Sequence, residues 1–407
     1  MDLLFAAYTP ATMAKALRIG ALAFSVFGLS ACLSPPTIQR AGVEYDRAIT
    51  NMILEQLLLN IARARHHHPT HFTVVSNVAA TFDFRTTAGI TPLSSDGRLL
   101  VGPQFGTTVA ENPTVSIVPV EGEEFTRRLL TPLTEDKFRS LFRQAVDPSM
   151  LLRLMARDFT TEGPEGPAVY QNKPSDPEGY REFRQRLLHL GGLAETRKLY
   201  VEPILFEKTW ELPLNSPEAF KAIETGYEVT YDDKTRAYVL RKQVTGRLIV
   251  TNYDPDLLSN DVRYHLNEEA IKSPPNVILV DIRPGYPGGE YPFHGHFRLR
   301  SFNSILSFLA RGIQEDQEYV VEKDPRSQPV PFNPPKTLEI LESEATPKGA
   351  AFSVQYLDRY YAIRSAGQSD NIAISVNLDT FRILYHLYQM TVTDVSKVLV
   401  PSITIAK

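Results

Sequence analysis

Histidines are the residues of this chain best suited to chemistry. His294-Gly295-His296 follows a turn-rich run, Pro284-Gly285-Tyr286-Pro287-Gly288-Gly289. Residues two apart on an extended backbone share a side, so the pair His294 and His296 is placed to hold a metal or to serve as acid and base. His66-His67-His68, with His71 close behind, is the densest cluster. Neutral imidazoles at such spacing bind Zn²⁺, Ni²⁺ or Cu²⁺. Adjacent histidines on one backbone diverge, however, and no carboxylate or cysteine lies near His66 and His68 in sequence to complete a site. A solvated helix end is the simpler reading there, and histidine suits the negative end of a helix dipole. The chain has no H-E-x-x-H, no G-x-S-x-G, no P-loop and no dinucleotide fingerprint. Its acidic runs, Asp232-Asp233, Glu268-Glu269 and Glu342 to Glu344, read as turns and solvated faces. The sequence therefore predicts no catalytic residue, no metal and no cofactor, with His294, His296, His66 and His68 as the alternatives.

The remaining reactive side chain is Cys32, the single cysteine among 407 residues. It directly follows Ile19 to Ala31, an uncharged and mostly apolar stretch. At about 1.5 Å rise per residue this is too short to cross a hydrocarbon core of roughly 30 Å. Lys15 and Arg18 precede it, and Leu29-Ser30-Ala31-Cys32 places small residues before the thiol. The arrangement resembles a bacterial lipoprotein signal peptide, in which the cysteine receives a diacylglycerol and becomes the mature N-terminus. Met13 to Cys32 would by itself make such a signal. Leu33 stands where a signal for inner-membrane retention would carry Asp, so the resemblance implies the outer membrane, with the folded part facing the periplasm. Removal of residues 1–31 leaves no free thiol, so burial alone must hold the core. The formal charge is -4, from 43 basic and 47 acidic residues that are interspersed, and this excludes the basic footprint of a nucleic-acid binder.

The elements that must position these groups read as an α+β fold: mixed sheets built from hairpins, several packed amphipathic helices, and one long N-terminal helix. That helix spans Val43 to Arg65, with Ile49, Ile53, Leu57 and Ile61 at four-residue spacing. Ser34 to Thr37, with its proline pair, reads as a stiff extended tether. Strand texture follows over His71 to Val78, Thr81 to Thr87 and Thr114 to Val120, separated by Thr91 to Pro113, a Gly/Ser/Pro-rich long loop or wandering hairpin. Helices are expected over Glu123–Leu130, Glu135–Ala145, Pro148–Arg157, Tyr180–Leu190, Phe302–Ile313 and Leu378–Met390. Strands are expected over Lys198–Lys208, Arg247–Thr251, Asn276–Asp281 and Asn371–Val376. Two hairpins turn at Asp232 to Thr235 and at Leu357 to Arg359. The organisation is a signal peptide over 1–31, an anchor and tether over 32–42, a helix/strand/helical region over 43–165, a central α+β region over 166–325, a Pro-rich linker over 326–350 and a C-terminal hairpin and helix over 351–407.

Glu55 to Arg65, Pro69 to Ser76, and Asn112 to Pro119 with Gly122 to Leu130 together resemble a family of uncharacterised proteobacterial envelope lipoproteins, as does Arg298 to Ile313. The resemblance implies a lipid-anchored envelope protein and no particular activity. The expected partners are the membrane, through the lipidated N-terminus, and other envelope proteins, with no nucleic acid. The expected role is structural or partner-binding. Its alternatives are a periplasmic hydrolase or metal-dependent enzyme using His294 and His296, and a small-molecule or glycan carrier built around tyrosines, which requires an apolar cavity.

Overall fold

A computed structural model describes residues 34–95, 98–144, 146–163, 166–213, 225–330, 332–364 and 371–392. Cys32 and the apolar segment before it lie outside the described residues. The chain divides into two units, residues 1–54 and 55–407. Helix α1, Ser34–Arg65, runs through the division. Pro35 and Pro36 fall in its first turn, where a proline's missing N–H costs no helical bond. The extended tether expected over Ser34 to Thr37 is therefore helical backbone. In the first unit Arg40 and Glu44 pair at 3.1 Å on the exposed helix surface.

In the second unit the end of α1 buries Leu57, Leu58, Ile61 and Ala62. Asn60, also buried, ties the helix to the chain that returns past it, donating to His71 O at 2.9 Å and accepting from His71 N at 2.8 Å. The helix stops where His67 takes a left-handed φ of 58° and His68 N bonds back to Arg63 O at 2.9 Å, just before Pro69. Strands β1, Phe72–Ser95, and β2, Arg98–Val120, then pair antiparallel from Phe72↔Val120 to Ser95↔Arg98. Of the two readings of Thr91 to Pro113, a long loop or a wandering hairpin, the structure has the hairpin: residues 91–95 pair antiparallel with 98–102, and residues 103–113 continue β2. Among the described residues each of these strands has one unpaired edge, where Pro is tolerated, and single-sequence texture could not see the partner that supplies the ladder on the other side.

Helices α2 (Glu123–Leu130), α3 (Glu135–Phe142) and α4 (Pro148–Met155) follow. Asp147 caps α4 by accepting from Ser149 N at 2.9 Å. The principal sheet has seven strands: β3 (Ala156–Gly163), β4 (Gly166–Gln171), β5 (Tyr200–Pro213), β6 (Glu228–Asp232), β7 (Ala237–Thr251), β8 (Val277–Ile282) and β9 (Phe293–Leu299). Its order is β4-β3-β9-β8-β7-β5, with β6 beside the first half of β7. Every pairing is antiparallel except β7 with β8. Those two are joined through helix α6 (Asn260–Ile271), as a parallel pair requires a crossover. Helix α5 (Pro177–Glu195) lies between β4 and β5 in sequence.

The two faces of this sheet are set by period-two alternation. On one face Phe159 and Phe297 have ring centroids 4.7 Å apart, and Phe183 of α5 meets Phe297 edge-on at 5.8 Å. On the other face Leu279, Ile249, Ile204 and Phe206 pack with Leu266 and Ala270 of α6. Because Ile278 pairs with Phe297, the neighbouring pairs Leu279↔His296 and Asp281↔His294 belong to the α6 face.

Helix α7, Phe302–Gln314, starts at Ser301, whose hydroxyl accepts from Ser304 N at 3.2 Å. Strands β10 (Leu341–Ser343), β11 (Ala350–Tyr356) and β12 (Arg359–Arg364) form a small sheet in the order β10-β12-β11. Helix α8 spans Asn371–Val392. The strand expected over Asn371 to Val376 is its first turns. Its Tyr388 stacks on Phe72 at 5.3 Å, and Phe72 also meets Phe302 at 6.3 Å, which fixes the base of the β1–β2 ribbon. The Pro-rich segment over 326–350, expected as a linker, buries Ser327, Thr337, Leu338 and Ile340. The boundary expected at 165/166 falls between β3 and β4, which pair with each other.

Candidate functional site

His294 is the one expected candidate that the fold surrounds with acidic groups. Strand β9 buries alternate residues, leaving His294 and His296 on the same face as the sequence spacing required. Gly295 between them is dictated by close approach, because a Cβ there would lie 2.2 Å from the Thr160 carbonyl oxygen of β3. Directly across the ladder Asp281 Oδ1 meets His294 Nδ1 at 3.0 Å. From α6 Glu269 Oε1 meets His294 Nε2 at 2.6 Å. The other oxygen of Asp281 accepts from the Tyr253 hydroxyl at 2.5 Å and from Arg283 Nε at 2.6 Å. The Arg283 guanidinium sits 4.8 Å from the centre of the Tyr253 ring. Asn252 holds the adjoining turn by donating to Arg283 O and Pro287 O.

The electrostatics follow from this geometry. Hydrogen bonds to Asp281 and then to Glu269 outweigh the burial of the ring and push the His294 pKa up to about 10. Burial alone would raise the Asp281 carboxyl, but bonds from His294 and Tyr253 hold it below its ordinary range. The bond from His294 likewise lowers Glu269. Tyr253 is pushed well up by burial and by its bond to Asp281. At neutral pH His294 is therefore an imidazolium with both N–H groups committed, and it has no lone pair with which to take a proton or bind a metal. Two cations, His294 and Arg283, balance two carboxylates, and the cluster joins α6, β8 and β9.

His296 behaves differently. Burial lowers its pKa, its Nε2 has no partner among the described residues, and it lines a groove with Thr160, Asn276 and Arg298. The carboxylates thus serve His294 and none of them bonds His296, so the pair is not assembled as acid and base. His66 and His68 meet tyrosines of the small sheet: His66 Nε2 lies 2.8 Å from the Tyr361 hydroxyl, and His68 Nδ1 bonds the Tyr356 hydroxyl. No group of three or more His, Cys, Asp or Glu with metal-holding geometry occurs among the described residues.

A cavity of about 770 Å³ lies elsewhere, between α4, α5, α8 and the segment around Asn333. Its walls mix apolar groups such as Met150, Leu188 and Phe332 with Asp147, Arg153 and Arg184, and no tyrosine lines it. Arg184 is 2% exposed, donates to Asn333 Oδ1 at 2.7 Å, and leaves its Nε without a partner among the described residues. Burial, and then the neighbouring Arg153 charge, lower its pKa to about 10, so it stays cationic at neutral pH. A buried, incompletely bonded guanidinium in a cavity is suited to an acidic group.

In sequence His294 and His296 share one face of a strand and have no acidic partner nearby. The structure corrects this for His294. In sequence Glu269 reads as part of a solvated face and Asp281 as a plain strand residue, and no local pattern marks Tyr253 or Arg283. The available signal was Asp281 itself, a carboxylate closing the β-branched run Val277 to Val280. Comparison with family models, curated proteins and solved structures finds no match to this chain.

Proposed function

We propose that this chain is a lipid-anchored envelope protein, held in the outer membrane through Cys32 and acting through contact with other envelope proteins rather than through turnover. The observation that carries the contact role is the β1–β2 ribbon. Its strands are 24 and 23 residues long, and among the described residues neither pairs with any third strand. Unpaired strand edges are templates for another chain, and a domain keeps long ones only where something covers them. Against an envelope hydrolase or metal-dependent enzyme stands the committed state of His294, which cannot accept a proton near neutral pH. The anchor rests on the sequence around Cys32. Membrane fractionation with mass spectrometry of the mature N-terminus tests it: the expected result is diacylglycerol on Cys32 of the parent, and a Cys32→Ser chain that carries no lipid and keeps its leader uncleaved. An unmodified Cys32 in a cytoplasmic protein would overturn this reading.

A specific observation, the incompletely bonded Arg184 in the 770 Å³ cavity, favours a second and compatible role in holding a small acidic ligand. Calorimetric titration with small carboxylates and phosphates tests it, with binding expected for the parent and lost in Arg184→Gln. Equal heats for both proteins would sink it.

A further inference from the structure

We infer that the β1–β2 ribbon is a membrane-inserting hairpin and that several copies of this chain set their hairpins edge to edge to close a transmembrane β-barrel. The inference rests on the envelope reading above for the membrane concerned, and on the ribbon itself for everything else.

The register sorts the ribbon into two unlike faces. Phe82, Phe84 and Ile90 of β1 share a face with Val101, Phe105 and Val109 of β2, and no charged residue falls on that face between positions 82 and 109. Glu111, opposite Phe82, ends the uncharged stretch. The other face carries Asp83, Arg85, Arg98 and Gln104, with glycine at 89, 102 and 106, and its one large apolar pair, Leu93↔Leu100, lies next to the turn. Apolar and polar positions alternating over ten or so residues are the pattern of a strand with lipid on one side and water on the other.

The dimensions agree. Phe82 to Ser94 covers twelve rises of about 3.4 Å, which at a tilt of about 45° gives ~29 Å, close to the ~25 Å apolar band of a membrane barrel. The edges then require company. A two-stranded hairpin is marginal in water, and in hydrocarbon its open edges would leave backbone groups unbonded, so only a closed ring is viable there. One hairpin per copy gives an even number of strands, and the roughly eight-strand lower limit for such barrels means at least about four copies. Pro92 and Pro103 withhold one backbone donor each, so closure at that level is made with one bond fewer per strand.

The test uses the full chain extracted from membranes in detergent and then added to planar lipid bilayers. The expected parent result is a particle several times the 45.7 kDa chain mass together with stepwise ion conductance. Phe105→Arg sits near the middle of the apolar face, opposite Ala88, and should reduce conducting insertions at least about tenfold. Gln104→Arg is adjacent in sequence but on the other face, opposite Gly89. It should insert like the parent and shift selectivity towards anions. Circular dichroism melts matching the parent for both variants keep misfolding apart from failed insertion. A monomeric, non-conducting parent overturns the inference, as do equal effects of the two substitutions. Hairpin cross-links to a different envelope protein and never to another copy overturn it too, while leaving the contact role standing. Conducting rings formed by a chain with no lipid on Cys32 support the barrel and sink the anchor.

Discussion

Arg153 Nε donates to Glu318 Oε1 at 2.8 Å across 165 residues of sequence, with both side chains at least 96% out of contact with water. The pair is compensated rather than merely attractive. Glu318 also accepts from the Tyr180 hydroxyl at 3.2 Å, from Thr337 N at 2.6 Å and from Thr337 Oγ1 at 2.8 Å. Arg153 donates to the carbonyls of Pro334 and Pro335. Burial would raise the Glu318 carboxyl, but the Arg153 charge and the Thr337 bonds hold it low. The pair therefore binds α4 to the proline-rich chain between α7 and β10, and that is why this segment is packed rather than loose.

Glu318→Ala should destabilise the second unit by about 3–5 kcal/mol, because it strands the Arg153 guanidinium without an anion. The double variant Arg153→Met with Glu318→Leu should cost markedly less, since it removes both charges. Urea unfolding of the chain lacking residues 1–32 measures both. If the double variant proves as unstable as Glu318→Ala, packing and not charge explains the loss.

The His294 cluster predicts a pH signature. The folded pKa of His294, about 10, lies above its unfolded value, so its contribution is fully present below about pH 6.5 and disappears as pH rises through about 10. Asp281 and Glu269 are lowered, so theirs is present above roughly pH 4–4.5 and fades as acid titrates them. Tyr253, Arg283 and His296 complete the surroundings. The melting-temperature gap between parent and His294→Gln should be widest near pH 5–6.5 and should narrow above about pH 9. A gap independent of pH would show that His294 is not held by its two carboxylates.

Leu57→Asp should unfold or strongly destabilise the second unit, by several kcal/mol, as Leu57 is fully buried and the new carboxylate would have no partner. Ile53→Asp, in the first unit and only partly buried, should cost less. Thermal melts of the two variants against the parent decide the point, and equal losses would contradict the burial pattern along α1.

His296→Ala should leave partner recovery and any envelope phenotype intact, because no carboxylate bonds His296. Co-purification from lipid-extracted membranes is the measurement. Loss of the phenotype with circular dichroism unchanged would return the enzyme reading to consideration.

The sequence by itself determined what depends on neighbours along the chain. The stripe Leu57, Leu58 and Ile61 specified a helix and its buried face, Pro69 ended it, and the i, i+2 spacing of His294 and His296 put both on one side of a strand. These are local periodicities, and each reads correctly because the turn or pleat that enforces it is only a few residues long. What only the tertiary structure decided depends on partners far away in sequence. Thr91 to Pro113 carries residues that weaken strands, yet the opposite strand supplies the ladder. Asn371 to Val376 resembles strand by its residue types and is helix. Glu269 looked solvated until the crossover from β7 to β8 laid α6 over the strand bearing His294. A carboxylate 25 residues from a histidine leaves no mark on local pattern, and its effect, turning a candidate base into a fixed cation, exists only once the sheet face and the helix meet.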